Sequence, residues 1–376
     1  MRKWLPMPAS LRMAYVAHTL RSDWNNGNAH FLRGLMRALA AMGHDVRIVE
    51  PEASWSMTNL RTEALGGRSL AEFGQVYPDL NVLTYPEGEN ESWWREVLRD
   101  RDVVMLHEWN PPALAQLLLR LRDELGFLLL FHDTHHRASS TPEQMELFGL
   151  ARFDGVLAFG EALRTIYRER FGLTRVWTLH EAADTTEFRP VPDVEKTTDA
   201  VWIGNWGEGE RSSEIREYYL APAAALREEA RCSIYGVRYP QEGLEACREA
   251  GVEYGGYLPN LDAPAVYGAA KLTVHIPRQQ YSSAMAGIPT IRVFEALACG
   301  IPLVSAPWSD CEELFRPGDF KMVHSGAEMV EAMRLLLNDR AAAEAQAACG
   351  LETVLARHTC AHRAQELTDI CEELNG

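Results

Sequence analysis

Short apolar runs alternate with longer stretches of helical periodicity along the whole chain. In the first half these runs have the length and composition of β-strands, at residues 12–17, 45–49, 81–84, 103–106, 127–131, 155–158 and 175–179. Strands separated by helices pair in parallel, and a parallel sheet needs helices on both faces. The pattern therefore predicts a doubly wound α/β domain.

A second series of apolar runs follows, at residues 200–203, 232–235, 252–254, 272–276, 301–305 and 321–323. Between the two series, residues 189–198 carry two prolines and several charges without apolar periodicity, as exposed linkers do. We therefore predict two domains, residues 1–190 and 191–357. The remaining segment, 358–376, is a predicted helix with no strand beside it, and we expect it to pack back on the first domain.

Size, charge and cysteine content narrow the class of protein. A chain of 376 residues exceeds one usual hydrophobic core. Its formal net charge of −16 repels nucleic acid and anionic lipid, so we expect no nucleic-acid partner and expect local arginines to hold any anionic ligand. The seven cysteines form no C-x-x-C pair. We predict no signal peptide, and no apolar stretch reaches 18 residues. These features favour a cytoplasmic enzyme without a transmembrane segment.

Three segments, in an order that two α/β domains require, carry a family resemblance. They are residues 25–30 after the first strand, residues 180–190 at the end of the first domain, and residues 294–305 in the second. They resemble the family 4 (group 1) glycosyltransferases, and most closely the CgeB-like branch. The resemblance implies the GT-B fold, in which two Rossmann-like domains face each other across a cleft, the first binding an acceptor and the second a nucleotide-sugar donor.

The helix that begins after Pro289 supplies the first part of the expected donor site. Thr290 can cap this helix, and its exposed N–H groups together with the helix dipole suit a diphosphate. Arg292 and Glu295 lie three residues apart on one helical face. The resemblance gives Glu295 the role of accepting hydrogen bonds from ribose hydroxyls, and the alternative interpretation is a surface ion pair.

A glycine-rich turn, residues 204–211, supplies the second part. It follows a predicted strand and begins at Gly204, so its backbone N–H groups can approach a phosphate. Arg211 is the candidate pyrophosphate ligand, and the alternative is a solvated residue at a helix start. Arg278 and Arg238, which both follow strands, are further candidate cations.

The sequence departs from the family pattern at two donor-site positions. Gly287 stands where relatives carry a sugar-contacting glutamate eight residues before Glu295, and Asn205 stands where many carry an arginine. No acidic residue lies between Lys271 and Glu295. Either nearby Gln or Ser side chains replace the missing glutamate, at positions Gln279, Gln280, Ser282 and Ser283, or the site is impaired.

On the first-domain side, two pairs of polar residues follow apolar strands. The pair His132 and Asp133 resembles the family's His-Asp element, in which the histidine bonds the transferred sugar and the aspartate orients sugar or acceptor. The pair His107 and Glu108 is expected on the acceptor side of the cleft. We expect no metal. Three histidines and an aspartate lie at residues 132–136, but neighbours on one loop rarely all reach one ion. The D-x-D at residues 100–102 precedes its strand, which places it on the edge of the sheet away from the cleft.

Acceptor contacts are expected from the first loop as well, through Gly27, Asn28 and His30. Three tryptophans near strand ends, Trp24, Trp109 and Trp206, either stack on a ligand or pack in the interior.

The predicted function is transfer of a sugar from a nucleotide diphosphate sugar to a small-molecule, glycan or natural-product acceptor. The resemblance implies retention of anomeric configuration, and we expect neither cofactor nor metal. Alternatives on the same architecture are a nucleotide-sugar epimerase, a glycosyl phosphorylase or a non-catalytic nucleotide-sugar binding subunit. An epimerase would convert the donor without an acceptor, whereas a binding subunit would bind the donor without turnover.

Overall fold

The computed structural model describes residues 10–86, 90–207 and 209–375. The first nine residues, which belong to the segment without a predicted signal peptide, and residue 208 of the glycine-rich turn lie outside the described part. Seven strands form a wholly parallel first sheet in the order β3-β2-β1-β4-β5-β6-β7. They are β1 (Arg12–Val16), β2 (Asp45–Pro51), β3 (Asn81–Tyr85), β4 (Val103–His107), β5 (Leu128–Asp133), β6 (Gly155–Ala158) and β7 (Val176–Thr178).

Six strands form a second parallel sheet in the order β10-β9-β8-β11-β12-β13. They are β8 (Thr198–Ile203), β9 (Cys232–Tyr235), β10 (Val252–Tyr254), β11 (Ala270–His275), β12 (Leu303–Ser305) and β13 (Lys321–Met322). All the predicted strands are present, so the expectation of two doubly wound α/β domains is confirmed. The boundaries at residues 190 and 357 stay predictions, and the structure places the end of the first sheet at Thr178 and the start of the second at Thr198.

Helices connect the strands and cover both faces of each sheet. The first domain contains α1 (Ala29–Ala41), α2 (Trp55–Leu60), α3 (Gly66–Val76), α4 (Glu91–Leu98), α5 (Pro112–Leu125), α6 (Arg137–Ser140), α7 (Pro142–Glu146) and α8 (Glu161–Glu169). The rest of the chain contains α9 (Ser212–Ile215), α10 (Ala221–Ala225), α11 (Gln241–Ala250), α12 (Ala263–Ala269), α13 (Gln279–Ser282), α14 (Ile291–Ala298), α15 (Gly326–Asn338), α16 (Arg340–Arg357) and α17 (Cys360–Asn375). No helix among the described residues is long and apolar enough to cross a bilayer.

Helix boundaries follow the local sequence. Helix α5 begins at Pro112, where a missing N–H costs nothing, and ends at Gly126, whose φ of 89° suits glycine. Strands β4, β5 and β6 are buried along their whole length, as central strands of a covered parallel sheet must be. These strands therefore carry continuous apolar runs instead of alternating polarity.

The C-terminal helix crosses back to the first domain, as the sequence predicted. Thr359 pairs with Ala183 in an isolated bridge, and α17 then packs on α1. Near its end, the Trp177 indole N–H donates to Glu373 at 3.0 Å. The crossing buries Cys360 and Cys371 completely or nearly so, which ties the two domains into one packed unit.

The D-x-D segment lies at the amino-terminal edge of the first sheet. Asp102 pairs with Arg12 at 2.8 Å, and Arg101 pairs with Asp45 at 2.7 Å. Both partners stand at the first residue of a strand. The segment is therefore on the edge opposite to the carboxyl ends, where ligands of parallel sheets collect.

Gly34, in the middle of α1, packs closely against Asp184 and against Cys360 at the start of α17. A Cβ atom at this position would lie 2.5 Å from Asp184 Cβ and 2.7 Å from Cys360 Sγ. We predict that Gly34→Ala lowers the free energy of unfolding by about 2 kcal/mol through overpacking. The exposed Gly74 in α3, where a Cβ meets nothing within 4 Å, is the control: Gly74→Ala should stabilise by up to about 1 kcal/mol. Urea denaturation measures both, and an unchanged Gly34→Ala would contradict the close packing.

Candidate active site

A cleft of about 990 Å³ lies between the carboxyl ends of the two sheets. Loops after β1, β4 and β5 line it from the first domain, and loops after β8, β9 and β11 together with the start of α14 line it from the second. The structure brings seven of the predicted site residues together in its lining. They are Gly27, Asn28, Gly204, Arg211, Arg278, Thr290 and Arg292.

Arg211 is a buried cation without a counter-charge. It is 9% exposed and forms no ion pair with a described residue. Its Nη2 donates to the Asn205 carbonyl at 3.1 Å, its Cζ lies 5.2 Å from the Trp202 ring centroid, and its buried Nε has no partner. Burial, and then the nearby Arg278, lower the pKa of Arg211 to about 9, so the guanidinium remains charged at neutral pH.

Arg278 is already paired, in contrast. Glu210 accepts from Arg278, also accepts from Gln280 Nε2 at 3.2 Å, and lies 3.7 Å from His136 Nε2. Arg211, Arg278 and Arg292 form a basic wall of the cleft, and the Glu210 carboxylate occupies one side of this wall. An anion that binds at Arg278 must compete with Glu210.

Thr290 stands at the N-cap position of α14, but it does not cap the helix with its side chain. Its hydroxyl lies 3.0 Å from His275 Nε2, and no side chain bonds the first N–H groups of α14. The capping role expected for Thr290 is therefore wrong. The helix end at the cleft still suits an anion, because the Thr290 side chain leaves its first N–H groups uncapped and the dipole favours negative charge.

Glu295 is placed beneath the cleft, fully buried, and not in its lining. Its carboxylate pairs with Arg292 of the same helix, lies 2.8 Å from His30 Nδ1, and accepts from Asn260 Nδ2 at 3.4 Å. Burial pushes the pKa of Glu295 upward, but Arg292 and His30 outweigh burial and hold it below its usual value. The structure therefore places this carboxylate behind the cleft wall, where it anchors Arg292, and its expected contact with a ribose stays a prediction.

His30 is also buried, and this differs from the expected acceptor contact. It is fully inaccessible, its ring centroid lies 4.2 Å from that of Phe188, and it reaches across the domain junction to Glu295. The first turn of α1 points its second residue inward, toward the partner domain. The acceptor side keeps Gly27 and Asn28 from the same loop.

The four residues that end β4 and β5 lie below the cleft floor. His107, Glu108, His132 and Asp133 are all at most 1% exposed, and none lines the cleft. The His132 Nδ1 atom lies 2.9 Å from the Tyr15 hydroxyl, while Asp133 accepts from Tyr167 and, at 2.9 Å, from the His135 N–H. The structure therefore does not place these side chains against a ligand, because the last positions of central parallel strands stay within the sheet layers.

This buried layer holds the next residues in place. Thr134 lines the cleft, and its hydroxyl receives Asn28 Nδ2 at 2.9 Å, lies 3.1 Å from His107 Nε2 and donates to Glu108 at 3.3 Å. Burial raises the pKa of Asp133 to about 6 and, with Asp133 nearby, raises the pKa of Glu108 well above its ordinary value. Burial also lowers the pKa of His132 to about 4, so this histidine is neutral at neutral pH.

Several lining residues were missed as site candidates. His135 and His136 follow the His-Asp pair directly, and Tyr281 belongs to α13. Glu181 lies in the segment that carried the family resemblance, yet nothing in its neighbours marked it as a ligand-facing acid. It is 3% exposed, and its Oε1 has no hydrogen-bond partner.

The two departures from the family pattern have physical explanations. Gly287 has a φ of 95°, and a Cβ there would lie 2.6 Å from Cys311 Sγ, so the site has no room for a side chain. Asn205 Nδ2 donates to Asn25 Oδ1 of the first domain at 2.8 Å, and its own oxygen accepts from Arg211. Asn205 thus links the domains and orients the buried arginine.

The tryptophans divide between the interior and the cleft. Trp206 is buried in the second-domain core, whereas Trp24, although only 7% exposed, lines the cleft and donates its indole N–H to Glu63 at 2.7 Å. Trp109 is 44% exposed and lines the cleft, as does Trp55, which is 55% exposed and was not predicted. Within residues 10–86, 90–207 and 209–375, no group of three or more His, Cys, Asp or Glu side chains is arranged to hold a metal ion.

Comparison with known families and structures agrees with this geometry. Residues 25–187 match the model described as Glycosyltransferase Family 4, and residues 214–369 match the model described as Glycosyl transferase-like. The sequence matches none of the curated proteins. The assignment to the CgeB-like branch stays a prediction.

Solved structures with the same two-domain fold cover nearly the whole chain. Anabaena HepE in complex with UDP and glucose has a TM-score of 0.69 at 12% identity, over 96% of this chain and 98% of its own. Sucrose-phosphate synthase from Thermosynechococcus elongatus has a TM-score of 0.64 at 16% identity, over 97% and 99%. An α-glucosyltransferase in complex with UDP and a 13-mer DNA has a TM-score of 0.70 at 12% identity, over 96% and 99%. These similarities confirm the GT-B fold.

The buried position of Glu295 generates a prediction about stability. Glu295→Ala leaves Arg292 without its carboxylate, so we expect the free energy of unfolding to fall by about 3 kcal/mol. Because the folded pKa of Glu295 is depressed, its contribution is fully present above the ordinary pKa of 4.5 and is lost as pH falls through the lower folded value. Urea denaturation between pH 3 and 7 measures both effects.

The matched control for this prediction is Glu344, which pairs with the exposed Arg340 one helical turn away. Glu344→Ala should change the free energy of unfolding by less than about 0.5 kcal/mol. A Glu295→Ala variant as stable as the Glu344→Ala variant would show that the buried pair does not hold the junction.

Proposed function

Because the chain belongs to the group 1 glycosyltransferases of the GT-B fold, we propose that it transfers a sugar from a nucleoside diphosphate sugar to a hydroxyl group, with retention and without a metal ion. The acceptor class is a small molecule, a glycan or a natural product. The observation that carries the donor assignment is Arg211, a buried guanidinium that faces the cleft without a carboxylate partner.

The diphosphate is assigned to the basic wall of the cleft. A buried cation that has hydrogen-bond acceptors but no anionic partner among the described residues is costly, and an anionic ligand reduces that cost. Arg278 and Arg292 line the same cleft, and the open end of α14 adds N–H donors. In a chain with net charge −16, such a concentration of positive charge favours a specific anion site over a general one.

Uridine is the first candidate for the base. HepE has been solved with UDP-glucose and with UDP, and the α-glucosyltransferase with UDP. These ligands belong to those proteins, and they support UDP-sugars as the first donors to test here. The α-glucosyltransferase has also been solved in complex with a 13-mer DNA, whereas the net charge of this chain favours an acceptor other than nucleic acid.

Retention through a same-face reaction is supported by the state of the carboxylates in the cleft lining. Asp23 accepts from the Asn260 N–H at 2.8 Å and from Tyr257, and Glu210 is paired with Arg278. For Glu181, burial, and then nearby Glu295, raise the pKa well above its ordinary value, which disfavours the ionised form that a nucleophile needs. The departing diphosphate, stabilised by Arg211 and Arg292, is then the base that takes the acceptor proton.

A non-catalytic nucleotide-sugar binding subunit is the second candidate. The observation that favours it is Gly287, where the backbone leaves no space for the sugar-contacting side chain found in relatives. Donor binding without hydrolysis or transfer would support this alternative. An epimerase, in contrast, would convert the donor to its epimer with no acceptor present.

We predict that one nucleoside diphosphate among UDP, GDP, ADP and dTDP binds in the presence of a chelator. Arg211→Met should weaken this binding at least about tenfold, because it removes a charged hydrogen-bond donor. The thermal stability of the unliganded variant should be maintained, because the substitution removes a buried guanidinium charge that has no anionic partner among the described residues. Isothermal titration and thermal melts measure the two quantities.

Arg216→Met is the control for this experiment, because Arg216 is exposed on the same segment and does not line the cleft. Equal losses in the two variants would contradict a specific role of Arg211. Failure of all four diphosphates to bind the wild type would overturn the donor site itself.

The stereochemistry is testable without knowledge of the acceptor. Slow hydrolysis of UDP-α-glucose, followed by proton NMR in the presence of a chelator, should release α-glucose first, because water takes the place of the acceptor on the same face. The β-anomer as first product would contradict retention. Hydrolysis that depends on added Mg²⁺ or Mn²⁺ would contradict the metal-independent mechanism.

A further inference from the structure

Glu181 follows β7 in the chain and lies beside the segment that leads into α17. Two residues later, Ala183 pairs with Thr359, so the backbone at this point is held by the C-terminal segment. The side chain lines the cleft although it is only 3% exposed. It is therefore a carboxyl group that a bound ligand can reach and bulk solvent barely can.

The carboxyl of Glu181 differs from the other two carboxyls among the described lining residues. Asp23 and Glu210 have donor or cationic partners. Oε1 of Glu181 is buried and has no hydrogen-bond partner among the described residues. A buried polar atom without a partner costs about 1–3 kcal/mol, so its retention at a cleft wall points to a partner that arrives with the ligand.

The charges around Glu181 decide the chemistry of that partner. Glu295 lies near enough to interact with it electrostatically, and so does Arg292, which is already paired with Glu295. Glu181 and Glu295 repel a phosphate. Arginines of the second domain, among them Arg211, are the groups that can bind it. The group that fits Glu181 is a neutral hydrogen-bond donor such as a sugar hydroxyl.

The donor-binding loop supplies no acid for this purpose. No acidic residue lies between Lys271 and Glu295 in the sequence, and Gly287 has no space for a side chain. Arg292, at the start of α14, and Glu181 line the same cleft from opposite domains. A ligand with its diphosphate on α14 therefore presents its next group toward the first-domain wall.

We propose that Glu181 is a specificity residue that binds hydroxyl groups of the transferred sugar, a proposal that rests on the proposed glycosyltransferase function. The carboxyl oxygens accept hydrogen bonds, and a protonated carboxyl also donates one, so either form can bind a hydroxyl. Burial, and then nearby Glu295, raise the pKa of this carboxyl. The contact also lets the first domain recognise the sugar while the second holds the nucleotide.

The test compares a nucleotide sugar with its nucleoside diphosphate in the same variants. In the wild type, the affinities for UDP-glucose and UDP are measured by titration, with GDP-mannose and GDP used if guanine is the preferred base. Glu181→Ala should weaken binding of the nucleotide sugar about tenfold and leave binding of the diphosphate unchanged. Glu181→Gln, which keeps one donor and one acceptor, should restore most of the loss.

Glu312→Gln is the matched control. Glu312 is a neighbouring carboxylate that pairs with His180 at 2.9 Å and accepts from the Glu161 N–H at 2.9 Å, but it does not line the cleft. This variant should leave the ratio of the two affinities unchanged.

Two outcomes would overturn the inference about Glu181. In one, Glu181→Ala leaves the ratio of affinities at its wild-type value. In the other, it weakens both ligands equally, as a general disturbance of the fold would. A wild type that binds neither ligand would instead overturn the proposed function, so the two failures are distinguishable.

Discussion

The cleft depends on a charged group that is hidden from it. Glu295 has no accessible surface. Its carboxylate pairs with Arg292 of its own helix and lies 2.8 Å from His30 Nδ1 of the other domain. Removing one member of such a set leaves an unpaired buried charge, which costs far more than a surface ion pair contributes. The set therefore fixes the distance between α1 and α14, and with it the position of the helix end that faces the ligand.

Satisfied polar groups beneath the cleft contrast with unsatisfied ones at its wall. Asp133 has two donors, and Thr134 connects Asn28, His107 and Glu108. At the wall, Oε1 of Glu181 and Nε of Arg211 have no partner. The fold therefore holds two unpaired groups of opposite character at the wall of one cavity, above the hydrogen-bonded network of Asp133 and Thr134.

The fold was predictable from the sequence because each strand is a continuous apolar run between helices, and all of the predicted runs are strands. Depth was not predictable. His132 and Asp133 follow an apolar run and so were expected at the cleft, but they are the last residues of β5 and remain between the sheet layers. Only Thr134 and the two residues after it reach the cavity.

Conformation and pairing set the remaining limits on prediction. The sequence identifies a glycine at position 287, but not the φ of 95° that closes it to side chains. It likewise places Arg278 after a strand without indicating that Glu210 pairs with it. Arg211 and Glu210 are neighbours on one loop. An anion that displaces Glu210 from Arg278 therefore also affects the loop that carries Arg211. Under the proposed function, donor binding and the arrangement of this loop are linked by electrostatics, because the same positive charges interact with Glu210 in the free protein and with the diphosphate in the complex.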